Sequence, residues 1–240
     1  MRATVRAVGA EFLGSALLAA IVIGSGIMAQ QLSPSDVGLQ LFENAFATAL
    51  GLGVLILLLQ PVSGAHFNPV VTIADIVLHR RPWSVAGVYL PAQIAGCIVG
   101  AVLANAMFGL AAVSWSTTER ADGPRLLSEV VATAGLVFVI FALVRTGRGH
   151  LAAPAVGAYI GAAYFFTSST SFANPAITIG RAFSDTFAGI APTSVLPFIA
   201  AQLIGAVIGV ALAFGLFPLR KRAPDGVDVV GVVAEADPRA

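Results

Sequence analysis

The stretch Ser63-Gly64-Ala65-His66-Phe67-Asn68-Pro69-Val70-Val71-Thr72 returns, loosely, as Ser169-Thr170-Ser171-Phe172-Ala173-Asn174-Pro175-Ala176-Ile177-Thr178, one copy in each half of the chain. Each Asn-Pro pair reads as a helix start. Asparagine is a preferred N-cap, and proline is favoured at the first helical position, whose N–H needs no helical partner. Both starts sit between apolar stretches long enough to cross a bilayer. Two capped starts inside such a chain point to two half-helices facing each other across a pore.

Composition agrees with a membrane setting. The 240 residues are 58% hydrophobic and 10% charged, where a soluble domain carries about 25% charge. A formal net charge of +1 gives no pointer to nucleic acid. Cys97 is the single cysteine, so neither an intramolecular disulfide nor a cysteine metal site can form, and it reads as a small apolar side chain in a helix. Nothing in the sequence calls for a metal or cofactor. No nucleophile–base constellation or phosphate loop suggests an enzyme.

Apolar windows place six spans near 7–30, 40–60, 84–108, 126–146, 151–168 and 195–217, the fifth being marginal against the roughly 20 residues a crossing needs. Arg2 and Arg6 before the first run resemble a signal peptide, but five further spans make it a retained helix. An even number of spans puts both termini on one side. Arg2, Arg6, Arg80, Arg81, Arg145, Arg148, Arg220, Lys221, Arg222 and Arg239 fall on that side; only Arg120, Arg125 and Arg181 fall on the other. By the positive-inside rule the termini are expected to be cytoplasmic, and a cell (inner) membrane is the expected location. The channel body is read as 1–222, with repeats near 7–108 and 126–217, and 223–240 as a cytoplasmic tail without helical period.

The half-helices are expected over 68–78 and 174 to about 184. At about 1.5 Å per residue each is roughly 16 Å long, so neither spans alone but two end to end do. Other residues repeat with them. Glu11 answers Glu129, and Gln93, Gly96 and Gly100 answer Gln202, Gly205 and Gly209 at a constant offset of 109 residues. Three spans per half require the second copy to be inverted, the arrangement of transport proteins whose site lies where broken helices meet. The Gly-xxx-Gly pairs are expected to let helices approach closely.

These residues together resemble the aquaporin and glycerol-facilitator (major intrinsic protein) family. The resemblance rests on Ser63-Gly64-Ala65-His66, Asn68-Pro69-Val70, Asn174-Pro175-Ala176, Glu11 and Glu129, and covers roughly 7–218. It implies an all-α membrane protein of six transmembrane helices plus two re-entrant half-helices, assembled as a homotetramer with one pore per subunit. Asn68 and Asn174 then turn amide N–H groups to the lumen. Backbone at Gly64, Ala65, His66, Thr170 and Phe172 lines it, and Glu11 and Glu129 brace the loops. For His66 a hydrogen-bonding role and a pH-gating role both stand.

The chain departs from the family pattern in three places. Arginine usually follows the second box; here the position is Ile177. The nearest arginine is Arg181, one turn toward the outer mouth, where pairing with Asp185 or snorkelling to the interface is expected before solute contact. Counting from the boxes carries the other filter positions to Ser171, Ala162 and Thr48, with Leu50 as the alternative to Thr48. Thr48, Ala162, Ser171 and Ile177 describe a constriction without charge, histidine or aromatic ring. Val70 replaces the usual alanine, and either narrows the lumen or repacks beside it. Asp75, within the first half-helix, is expected to be solvated or paired with Arg80 or Arg81.

The expectation is a passive channel for small neutral solutes: polyols, urea, undissociated metalloid hydroxides such as arsenite, and water. A mainly water-conducting channel and, from another class, an ion-coupled transporter are the alternatives.

Overall fold

The structure, a computed structural model, describes residues 4–79 and 81–218. The expected tail at 223–240, and Arg80, lie outside these residues. The described chain is helical, with no strand among the described residues. Six long elements are α1 (Val5–Leu32), α2 (Val37–Ser63), α4 (Ser84–Met107), α5 (Gly123–Arg145), α6 (Ala152–Phe166) and α8 (Pro192–Leu216). Two short ones are α3 (Pro69–His79) and α7 (Pro175–Arg181), each opening on the proline of an Asn-Pro pair.

Local chemistry sets the helix ends. The Thr4 hydroxyl accepts the Ala7 N–H, and the Asp36 and Asp122 carboxylates accept those of Leu39 and Arg125, satisfying first-turn donors that lack helical partners. α2 stops at Gly64, whose φ of 94° is open to glycine at little cost. Five of the long helices have 23 to 28 residues and are apolar enough to cross a membrane. The fifth span, α6, has only 15 residues after a 3₁₀ turn at Gly149–Leu151. At 1.5 Å per residue it covers about 22 Å, short of the hydrocarbon thickness.

The halves pack alike. α1 lies against α4 and α5 against α8, and α2 packs on α6 to join the halves. Glycine makes these approaches possible. A Cβ on Gly96 or Gly100 would stand 2.4 or 2.1 Å from the carbonyl oxygens of Phe12 and Ala16 in α1. A Cβ on Gly205 or Gly209 would stand 2.5 or 2.4 Å from those of Val130 and Ala134 in α5. Outer faces carry exposed leucine, valine and phenylalanine, such as Leu57, Leu196 and Val207, the side a bilayer would cover.

One expected boundary fails. The second half-helix ends at Arg181, because the N–H groups of Ala182 and Phe183 turn back to carbonyls three residues earlier and close the helix. α7 therefore has 7 residues against the 11 of α3.

Candidate functional site

The loops that lead into the half-helices are held in a conformation most residues avoid. Ala65, Phe67, Thr170, Ser171 and Ala173 all have φ between 47° and 61°. The left-handed region costs a non-glycine residue about 1–2 kcal/mol. It persists here because two buried carboxylates hold the loops. Glu11 accepts the N–H groups of His66 (3.0 Å) and Phe67 (2.7 Å), and Glu129 those of Phe172 and Ala173, each at 2.9 Å. Gln93 donates to Glu11 and to the Thr72 hydroxyl; Gln202 donates to Glu129 and to that of Thr178. Each threonine hydroxyl in turn donates to the backbone carbonyl of its box asparagine. Both glutamates are fully buried. The first loop carries one extra tie, a 2.6 Å hydrogen bond from the Ser63 hydroxyl to Glu11.

The two boxes are clasped across the repeat. Asn68 Oδ1 accepts the Val70 N–H, and Asn174 Oδ1 accepts those of Ala176 and Ile177, so each asparagine caps its own helix. Each Nδ2 reaches to the other loop: Asn68 donates to the Ala173 carbonyl and Asn174 to that of Phe67, both at 2.8 Å. An amide nitrogen has two hydrogens, so one N–H of each remains for the lumen.

A single cavity of about 310 Å³ passes these asparagines, and its lining includes His79 and Arg81 at the α3 end and Phe172 and Arg181 at the α7 end. Between them the wall is largely aliphatic: Leu18, Val22, Leu52, Ile56, Leu136 and Ile160. Of the box residues only Asn68 and Asn174 line it. Pro69, Val70, Pro175 and Ala176 are buried behind them, with Val70 packed among Val137 and Phe141 of α5 and Ala206 of α8. The added methyls of Val70 therefore fill protein rather than lumen. Gly64, Ala65, His66, Ser171 and Phe172 line the cavity, while Thr170 does not.

At the α3 end Asp75 is paired with Arg81 (Nε–Oδ2 2.8 Å) and His79 (Nδ1–Oδ1 2.8 Å). His66 Nδ1 lies 3.1 Å from the Thr72 hydroxyl, whose own proton goes to Asn68, so the ring donates from Nδ1. Its Nε2 faces Asp75 at 3.8 Å.

The α7 end departs from what spacing predicts. Thr48 lines the cavity, whereas Leu50 is 57% exposed. Ser171 and Ile177 also line it. Ala162 does not: it is exposed on the outer side of α6. Two residues on, about 200° around a helix, Tyr164 occupies the lining, and its hydroxyl donates to Thr48 Oγ1 at 3.2 Å. The cavity wall thus contains an aromatic ring that counting back from the box misses.

Arg181 does not pair with Asp185 either. Since α7 stops at Arg181, the i, i+4 relation across it is lost, and Asp185 instead accepts from the N–H and hydroxyl of Thr117. Arg181 turns inward, 2% exposed, with its Nε donating to the Ala188 carbonyl and its guanidinium 3.4 Å from the Phe172 ring centroid. Arg120, from the loop between α4 and α5, comes within 5.3 Å of the same ring and donates to the carbonyls of Gly189 and Phe187. Burial pushes the Arg120 guanidinium down to about 10, which leaves it charged at neutral pH.

Comparison with known proteins agrees with this architecture. The family described as "Major intrinsic protein" matches residues 1–173. Aquaglyceroporin AqpS of Rhizobium meliloti (strain 1021) is 47% identical over 204 residues, 85% of this chain and 86% of that protein. Aquaporin-2 of Rattus norvegicus is 31% identical over 233 residues, 90% of this chain and 80% of its own. The solved aquaglyceroporin of Plasmodium falciparum shares the fold at a TM-score of 0.68 and 21% identity, covering 90% of this chain and 96% of its own. With its half-helices clasped box to box beside a cavity that both asparagines line, the chain belongs to the major intrinsic protein family.

Proposed function

We propose that this protein is a passive transmembrane channel for small neutral solutes: glycerol and other polyols, urea, undissociated metalloid hydroxides such as arsenite, and water. The observation that carries this reading is the cavity beside Asn68 and Asn174, aliphatic over most of its wall, with Ile177 in place of a charge beside the second box. A small hydroxyl compound exchanges water for the free amide hydrogens at little cost. An ion cannot replace its hydration shell there, and the N-termini of α3 and α7 present their positive ends to it. Similarity to AqpS, whose name is that of an aquaglyceroporin, supports solutes larger than water.

The buried glutamates speak against ion-coupled transport. Both oxygens of Glu11 and Glu129 are occupied by N–H or O–H donors, so a carried proton would have to displace a loop brace. The arginine distribution supports cytoplasmic termini, making the Asp75 mouth the inner one and the Arg181 mouth the outer one. An inner-membrane location and a homotetramer with one pore per subunit complete the proposal, with 1–222 as the channel body.

The test is stopped-flow permeability of proteoliposomes to water, glycerol, urea and arsenite, for the wild-type chain and Ile177→Arg. Wild-type vesicles are expected to admit glycerol or arsenite faster than empty ones, and Ile177→Arg to slow the larger solutes more than water. Vesicles that respond no faster than empty ones to any of these solutes would overturn the channel. Unchanged permeability of the variant would remove position 177 from the constriction.

A further inference from the structure

The inner mouth and the last stretch of the chain carry opposite charge. We infer that the acidic segment 225–237 docks on the basic rim of the inner mouth and lies across it as a tethered, reversible plug. This inference rests on the channel reading above, including its assignment of the Asp75 mouth to the inner side.

The rim is basic, and little of its charge is neutralised. The connection between α5 and α6 belongs to it: Val144 before and Ala152 after line the cavity, and Gln60, another lining residue, donates to the Gly149 carbonyl. Arg148 and His150 stand exposed on that connection. From the α3 side come His79 and Arg81, both lining the cavity, with side chains 42% and 34% exposed. Asp75 lies beside them and is already shared between the two. Arg145 and Arg148 pair with no carboxylate among the described residues.

The last stretch of chain sets out from this rim. Arg145, next in the chain to Val144, donates from Nε to the Phe217 carbonyl and lies 3.9 Å from the Phe214 ring centroid, which fastens the end of α8 beside the mouth. Asp225 follows Phe217 closely enough to lie within roughly 27 Å of it even at full extension. Residues 223–240 hold Asp225, Asp228, Glu235 and Asp237 against Arg239, a charge opposite to that of the rim. Val227, Val229, Val230, Val232 and Val233 stand between the acids, apolar enough to rest on the wall at Val144 and Ile140. A segment on a short linker has an effective concentration in the millimolar range, so a Kd of about 1 mM keeps it docked about half the time. A few exposed ion pairs with some apolar contact reach that affinity, where any one pair alone falls short.

The test measures glycerol flux per inserted protein for the full chain in vesicles of neutral phosphatidylcholine, which offers the rim cations no anionic headgroup. The comparison variant is also full length and carries Asp225→Asn, Asp228→Asn, Glu235→Gln and Asp237→Asn. At low salt its flux is expected to be about twice that of the wild type, since a plug docked half the time is released. At about 1 M salt, where charges are screened beyond about 3 Å, the two should conduct alike. A synthetic peptide of residues 223–240, at about 1 mM on both sides of the bilayer, should halve the variant's flux. Arg148 lies on the rim but off the cavity lining. Adding Arg148→Glu to the variant should raise the peptide concentration for half inhibition about fivefold, the effect of one ion pair turned to repulsion. Equal low-salt fluxes of wild type and variant would overturn the inference. So would a peptide without effect, or one whose half-inhibiting concentration ignores Arg148→Glu, which places its dock elsewhere. A chain that conducts no solute with either the native or the neutralised segment refutes instead the channel reading.

Discussion

At the residue scale the loop glutamates are the costliest single positions to lose. Glu129 receives Phe172 N–H, Ala173 N–H and Gln202 Nε2, all in a site without water access. Glu129→Ala orphans these donors and frees a loop with three left-handed residues, Thr170, Ser171 and Ala173. We expect a loss of about 3 kcal/mol or more, visible as a lower unfolding temperature in detergent. Glu129→Gln, which keeps one acceptor oxygen, should lose less. Equal melting of Ala variant and wild type would show the loop to be held by other contacts. The repeat of Glu11 as Glu129 and of Gln93 as Gln202 was legible in the sequence, whereas bracing was implied only by the family resemblance and only for the glutamates. Tyr164 was not legible. Counting back from Asn174 assumes a fixed path through Thr167–Ala173, and an error of two residues there turns a helix face from lumen to lipid. Chemistry at the wall depends on that angle, and nothing local in the sequence records it.

Helix pairs show which repeats carry energy. The Gly96/Gly100 and Gly205/Gly209 pairs bring α4 onto α1 and α8 onto α5 at distances that a methyl group would violate. Gly100→Ala and Gly209→Ala should each destabilise the fold by about 1–3 kcal/mol, the usual cost of overpacking. Gly87→Ala, with nothing within 4 Å of its would-be Cβ, should be neutral or slightly stabilising. Comparing unfolding temperatures of the three variants checks this, and a Gly100→Ala chain as stable as Gly87→Ala would show that the pair adjusts freely. Element boundaries were legible to a few residues wherever a cap or proline marks them. The end of α7 was not, because its stop is a backbone turn after Arg181 rather than a glycine or proline. That difference separates Arg181 from Asp185 and sends it to the cavity.

For the whole molecule, the long helices of the inverted halves pack mainly within their own half, and the halves meet along α2 and α6, where α7 packs on α4, and at the two boxes. A chain divided after Leu110, in the loop between the halves, should therefore reassemble when both pieces are co-expressed. Co-purification of 1–110 with 111–240, and glycerol flux from the pair, are the expected readouts; pieces that insert but never associate would contradict it. The clasp of Asn68 to Ala173 and Asn174 to Phe67 has a further consequence for biogenesis. The acceptor for the Asn68 amide is synthesised 105 residues after it. Until then the first half enters the bilayer with an amide hydrogen and the Phe67 carbonyl unsatisfied at its centre, where hydrocarbon offers neither group a partner. That half must wait hydrated or shielded. The conduit then comes into being in one step, when the second loop arrives, so a partly made chain presents no finished hole in the membrane.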